Sequence, residues 1–230
     1  DTTMTMTTID PTTISGGVQL TPPIGQTVLD AEGTRRIAGP NDPAWAQIDP
    51  DLARHILAIR DAVQAAHPDQ AETDVDGRDY ACGTLWVSHS VDGTEVQQWG
   101  TGIDRSLLVG AGEGEDDAPK YLCAPGHGGR LFIHPWHRAL LDAAEPGTLT
   151  VLLVEGTKQW RSALTVLGQH TRVLPVGMLG CWGWSRDRQP STDLQEVAAR
   201  ARRLVVCLDA DMASNPAVWD AAKRLQAACP

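Results

Sequence analysis

Two short segments of this chain, 54 residues apart, carry residue types suited to chemistry. Glu155-Gly156 follows the apolar run Leu149 to Val154, and Asp209-Ala210-Asp211 follows a second run, Leu204 to Leu208. In an open parallel sheet, ligands sit beyond the carboxyl ends of the strands, so acidic residues at two strand ends are placed to share a site. An unpaired carboxylate next to a buried strand carries a desolvation cost, and two aspartates two positions apart in extended backbone point the same way. Three hard oxygen donors at one sheet edge suit Mg2+ or Mn2+. A structural reading competes with this one, in which Glu155 caps the helix that follows and the Asp pair caps a loop.

Basic and aromatic residues gather in the same stretch. Lys158 lies at the start of the helix after Glu155, where outward-pointing N–H groups favour a phosphate; its other reading is a surface residue paired with a nearby carboxylate. Arg172, Arg186 and Arg188 also lie near strand ends, the last two in the loop after Trp182-Gly183-Trp184. That loop could reach nucleic acid with Trp184 available for base stacking, although a Trp packed beneath a loop is the commoner arrangement. A separate set, Cys123, His127, His134 and His137, has metal-ligating side chains. Its spacing, C-x3-H-x6-H-x2-H, matches no common structural zinc pattern, and Pro135 is expected to break any helix that would align the histidines. No P-loop, GxGxxG, GxSxG or HExxH motif occurs, so ATPase, dehydrogenase, serine hydrolase and zincin readings have no positive support.

The elements that must position these residues follow from periodicity. After Pro146-Gly147 the pattern predicts strands at Leu149 to Val154, Val173 to Met178 and Leu204 to Leu208. Helices are expected at Thr157 to Leu167, at Thr192 to Ala201 behind a Thr192-x-x-Gln195 capping box, and at Ala217 to Ala228 behind Asn215-Pro216. Continuous apolar strands alternating with helices mean a parallel sheet covered on both faces. Before this region, residues 1–43 read as an extended or weakly ordered arm and residues 44–147 as a mixed α+β region. That region holds an amphipathic helix from Asp49 to His67 and a hairpin of Gly83 to His89 with Thr94 to Gly100. An acidic loop, Gly112 to Asp117, and short strands at Tyr121-Leu122 and Leu131 to Ile133 complete it.

Composition limits the partners. The 230 residues carry a net charge of −10, which argues against bulk electrostatic capture of nucleic acid. The charge is uneven: residues 1–150 hold 9 basic and 22 acidic side chains, whereas residues 151–230 hold 10 and 7. A phosphate-bearing partner should therefore meet the second region. No run approaches the ~20 apolar residues that cross a bilayer, so no membrane is expected. Five scattered cysteines without a CxxC pair, together with no visible secretory signal, point to the cytoplasm.

Three segments, LLVEGTKQWRSAL (152–164), GMLGCWGW (177–184) and RLVVCLDADMASNPAVWDAAKRL (203–225), resemble the Toprim fold of bacterial primases, topoisomerases and some nucleases. The resemblance is closer still to Toprim-like domains of phage, plasmid and mobile-element replication proteins. APKYLCAPGHGGRLFIHP (118–135) is similar to the segment just before Toprim in bacterial primases. The resemblance implies an α/β Toprim-like domain over 148–230, with Glu155, Asp209 and Asp211 binding Mg2+ or Mn2+ and Lys158 as an auxiliary phosphate contact. It further implies work in DNA replication on a single-stranded template and nucleotides, with a replicative helicase as a candidate partner, most simply as primase-like nucleotidyl transfer. A non-catalytic Toprim-like module binding single-stranded DNA or a protein partner, and a Toprim nuclease, are the alternatives. Many Toprim proteins place an Asp four residues after the Glu, where this chain has Gln159, which puts a two-metal mechanism in doubt. The family also leads one to expect a further strand after the last helix, so the chain is expected to be cut from a longer protein.

Overall fold

The structure is a computed structural model that describes residues 34–68, 73, 77–103, 107, 121–124, 126–127, 129–167, 172–209, 212 and 214–229. Most of the arm (1–33), the acidic loop Gly112 to Asp117, and Asp211 lie outside the described residues. The chain divides into two compact units, one within 34–87 and 96–127, the other within 88–95 and 128–229. Segment 128–147, expected with the N-terminal region, therefore groups with the C-terminal residues.

In the first unit, helix α1 (Pro50–Ala66) begins where Asp49 caps it, its carboxylate accepting the N–H groups of Asp51 at 2.9 Å and Leu52 at 3.2 Å. Its buried stripe, Leu52 and Ile56, packs with Ile37, Leu85, Trp99 and Leu122. Those residues come from β1 (Thr34–Ile37), β2 (Gly83–Ser90), β3 (Glu95–Thr101) and β4 (Tyr121–Cys123). Strand β1 pairs antiparallel with β2, from Thr34 opposite Trp86 to Ile37 opposite Gly83. The end of the arm is thus a sheet strand, which its lone apolar residue, Ile37, did not announce.

In the second unit, β6 (Leu149–Glu155) lies between two parallel neighbours, β10 (Ala201–Cys207) and β7 (Val173–Met178). The expected parallel sheet is confirmed for these three strands and stops there. β5 (Leu131–Ile133) pairs antiparallel with β7, Leu131 opposite Met178, and the end of β2, His89 and Ser90, pairs antiparallel with β5. The architecture is α/β with a mixed sheet. A three-residue apolar run can sit in either direction, since both orientations bury it equally; connectivity decides.

Alternation along β5 sorts the core into two faces. Leu131 and Ile133 join the large cluster with Leu153, Val176, Leu194 and Leu225, whereas Phe132 joins Trp160 and Leu164. Helix α3 (Thr157–Leu167) covers the second face, its Trp160 packed edge-on against Phe132 at 4.8 Å between ring centroids and donating Nε1–H to the Pro175 carbonyl at 3.3 Å. Two buried aromatic rings in such a pair contribute about 0.5–1.5 kcal/mol beyond their area, and they fix the first turns of α3. A Cβ on Gly177 would come within 1.9 Å of Phe132, so only glycine admits this ring.

Two helix starts differ from expectation. Pro135 does not break a helix but opens α2 (Pro135–Ala143), because the first helical turn tolerates a residue without N–H. His134 caps it, its Nδ1 accepting from Trp136 N–H at 3.2 Å. Helix α4 (Thr192–Arg200) is capped by Ser191 rather than Thr192: the Ser191 hydroxyl accepts from Leu194 N–H at 3.2 Å, and Gln195 Nε2 donates to the Pro190 carbonyl. The last helix, α5 (Pro216–Ala228), starts at Asn215 as expected, the Asn215 side chain accepting from Ala217 N–H.

Candidate metal and nucleic-acid site

Strand β6 delivers Glu155 to the carboxyl edge of the parallel strands, and Gly156 then turns the chain into α3 with φ +81°, its N–H donating to the Met178 carbonyl at 2.9 Å. Strand β10 runs beside β6 with Cys207 opposite Val154, which carries Asp209 to the same edge two residues later. The two acids meet there. Asp209 N–H donates to Glu155 Oε2 at 3.2 Å, and Gln159, from the first turn of α3, donates Nε2–H to Asp209 Oδ1 at 2.8 Å. Glu155 is half-buried, while Asp209 and Lys158 are exposed.

Gly156 makes room for this arrangement. A Cβ at that position would stand 2.5 Å from Gln159 Oε1, and its positive φ is one that L side chains rarely adopt. Gln159 is thus a hydrogen-bond donor to the Asp209 carboxylate. Sequence did not show this contact, since the partners lie 50 residues apart.

Two carboxylates at a sheet edge, one of them exposed to solvent, fit a hard dication that keeps several waters. The amide of Gln159 adds no negative charge, so the residues fit one ion better than two. No group of three His, Cys, Asp or Glu side chains gathers among the described residues. Of the set Cys123, His127, His134 and His137, the first two belong to one compact unit and the last two to the other. Burial pushes the Cys123 thiol up to about 11, the wrong direction for a thiolate ligand, and His134 is used as a helix cap.

The basic candidates separate. Arg186 and Arg188 are exposed on a small hairpin, β8 (Ser185–Arg186) with β9 (Gln189–Pro190), whose turn holds Asp187 at φ 52° and Arg188 at φ 62°. This hairpin follows the carboxyl end of β7, whose Met178 lies opposite Glu155, so it rises from the edge that carries the acids. Arg172 does not. It precedes β7 and stands at the amino edge, its carbonyl accepting from Thr150 N–H at 3.0 Å. Seven strand residues at ~3.3 Å each put the two edges roughly 20 Å apart, so Arg172 is removed from this site.

Trp184 is not exposed for base stacking. It is 1% exposed within the main core, and its ring stacks on Trp182 at 6.0 Å between centroids, leaving no face for a base. The exposed Trp in this region is Trp219, 46% exposed on the first turn of α5, the helix that follows the Asp209 loop. Its sequence signal was its position off the stripe of Val218, Ala222 and Leu225.

A second group of charges at this edge holds rather than binds. Arg130, just before β5, contacts Asp92 at 2.6 Å and Asp193 at 3.5 Å, while Asp193 accepts Leu131 N–H at 3.0 Å. Burial raises the Asp193 carboxyl, whereas hydrogen bonds from the Ser90 hydroxyl, first of all, and from Thr94 N–H hold Asp92 well below the usual carboxylate range. No helix among the described residues is long and apolar enough to cross a membrane. No family model, curated protein or solved structure matches the chain, so the resemblance to Toprim proteins rests on the sequence segments that carry it.

Proposed function

We propose that the chain is a divalent-metal-dependent enzyme of nucleic-acid synthesis, carrying out primase-like nucleotidyl transfer in DNA replication. The observation that carries the reading is the meeting of Glu155 and Asp209, 54 residues apart, at the ends of two adjacent parallel strands, joined by the Asp209 N–H to Glu155 contact of 3.2 Å. Its second support is the Toprim resemblance of the segments that supply both residues. Glu155 and Asp209, with Asp211 two residues beyond, would hold Mg2+ or Mn2+. An ion bound there supplies charge neutralisation for a triphosphate and activation of an attacking 3′-hydroxyl. Lys158 is placed to contact a phosphate from the first turn of α3, and Arg186 and Arg188 to steer a single-stranded template toward the edge. Gln159 holds the Asp209 carboxylate by a hydrogen bond.

The second reading is a non-catalytic Toprim-like module that binds single-stranded DNA or a replicative helicase. What favours it is Gln159, whose amide occupies an Asp209 oxygen where a further acid would favour a second ion. A nuclease is the third. Incubation with a single-stranded template, NTPs or dNTPs, and Mg2+ or Mn2+ separates the three. Products longer than the input support the transferase, shorter ones the nuclease, and unchanged DNA that is nonetheless retained in a gel shift supports the binding module.

A further inference from the structure

The amino edge of the three parallel strands borders a cavity of about 560 Å3 that the proposed reaction does not use. This lies within the roughly 300–1,000 Å3 usual for small-molecule sites. Leu140 and Ala143 near the end of α2, with Leu149 of β6, give it apolar walls, and three charged residues also line it: Glu145, Arg172 and Arg202.

The ladder between β10 and β6 is interrupted at this point. Ala201 lies opposite Leu149 and Arg203 opposite Thr150, so Arg202 is the extra residue of a β-bulge. Bulges re-aim a side chain out of the regular alternation and are over-represented beside functional sites. On the other side of β6, the Arg172 carbonyl is tied to Thr150 N–H. The two arginines therefore flank the start of one strand from its two neighbours, about 10 Å apart at the backbone, a span two long side chains can close onto a single anion.

We propose that this cavity binds a small phosphate monoester with an organic body, of the nucleotide type. Two guanidiniums match a phosphate with paired N–H donors, and the apolar walls accept a ring. Glu145 accepts a hydrogen bond from a sugar hydroxyl or an exocyclic amine. A monoester offers three terminal oxygens and nearly two negative charges to the two guanidiniums, whereas a backbone diester offers two oxygens and one charge. The site lies roughly 20 Å from Glu155, so its occupation is independent of the proposed metal centre.

Isothermal titration of the full chain with AMP, adenosine and inorganic phosphate as probes tests this. AMP is expected to bind at one site, at least tenfold more tightly than adenosine or phosphate. Arg172→Ala and Arg202→Ala should each weaken it tenfold or more with the circular dichroism spectrum unchanged, whereas Asp209→Asn should leave it as it was. Because an alanine in the bulge could disturb β10, Arg202→Lys, which keeps the charge and loses the paired donors, should weaken AMP at an unaltered melting temperature. No AMP binding, or binding untouched by both arginine substitutions, overturns the proposal. Phosphate bound as tightly as AMP overturns the organic body. Loss of AMP binding in Asp209→Asn overturns the location.

Discussion

The two edges of the three-stranded parallel core differ in what they do with charge. At the carboxyl edge, Glu155 and Asp209 lie within one hydrogen-bonded set with Gln159, and helix α3 begins beside them. At the amino edge, Arg172 and Arg202 flank β6, the latter thrown out of the ladder by a bulge. A parallel sheet produces this polarity by itself, because every strand ends at the same edge and each following helix presents its N–H groups there. Acid gathers at the one edge and base lines the other. Function is therefore to be sought at both edges, with opposite ligands.

The sharpest way to break the comparison is Asp209→Asn. Size and hydrogen bonding stay, one charge goes, and an enzyme that depends on a bound cation should lose activity by at least ~10² while its melting temperature barely moves. Equal activity in the variant, measured by primer extension, would take the metal role from this edge. If the protein only binds DNA, the same substitution should leave affinity intact or raise it, since a negative charge facing phosphate is gone.

A smaller effect separates the arginines. Replacing Arg186 and Arg188 by alanine should reduce the slope of log K against log[salt] for single-stranded DNA by up to about two units, whereas Arg172→Ala should leave it unchanged. Equal reductions from both would mean that the strand runs across both edges. Smaller again is Gly156→Ala, which forces a Cβ into a left-handed backbone conformation and against Gln159 Oε1. The conformational part alone costs about 1–2 kcal/mol, a fall in melting temperature of roughly 2–8 °C for a chain of this size. The added methyl group would also displace Gln159 from Asp209, so Mn2+ affinity should change together with stability.

The least of these effects is the acid response of the carboxyl edge. Asp92 is depressed in the folded state, so its contribution is present above its unfolded value, about 3.9, and is lost as pH falls below it. Asp193 acts in the opposite sense. Burial raises its carboxyl, so its contribution is fully present below the unfolded value and is lost as pH rises through its folded value. Asp92→Asn should flatten the loss of melting temperature below about pH 4, and an unaltered acid limb would show that Arg130 holds the edge through Asp193 alone.

Much of this was legible in the residues. Strands β6, β7 and β10 and helices α1, α3 and α5 announced themselves because long apolar runs and 3.6-residue stripes report burial directly, and Asp49 and Asn215 report helix starts through their own side chains. The placement of Glu155 and Asp209 followed from strand polarity. Polarity also held the answer for Arg172, which precedes its strand and so belongs at the amino edge. What the tertiary structure alone decided depends on contacts between distant residues. The antiparallel direction of β5, the burial of Trp184, the register shift at Arg202, and the Gln159 amide on Asp209 all arise where two segments meet. A residue's own type and spacing do not record which neighbour it will face, because that is settled by the packing of the whole unit and not by any local preference.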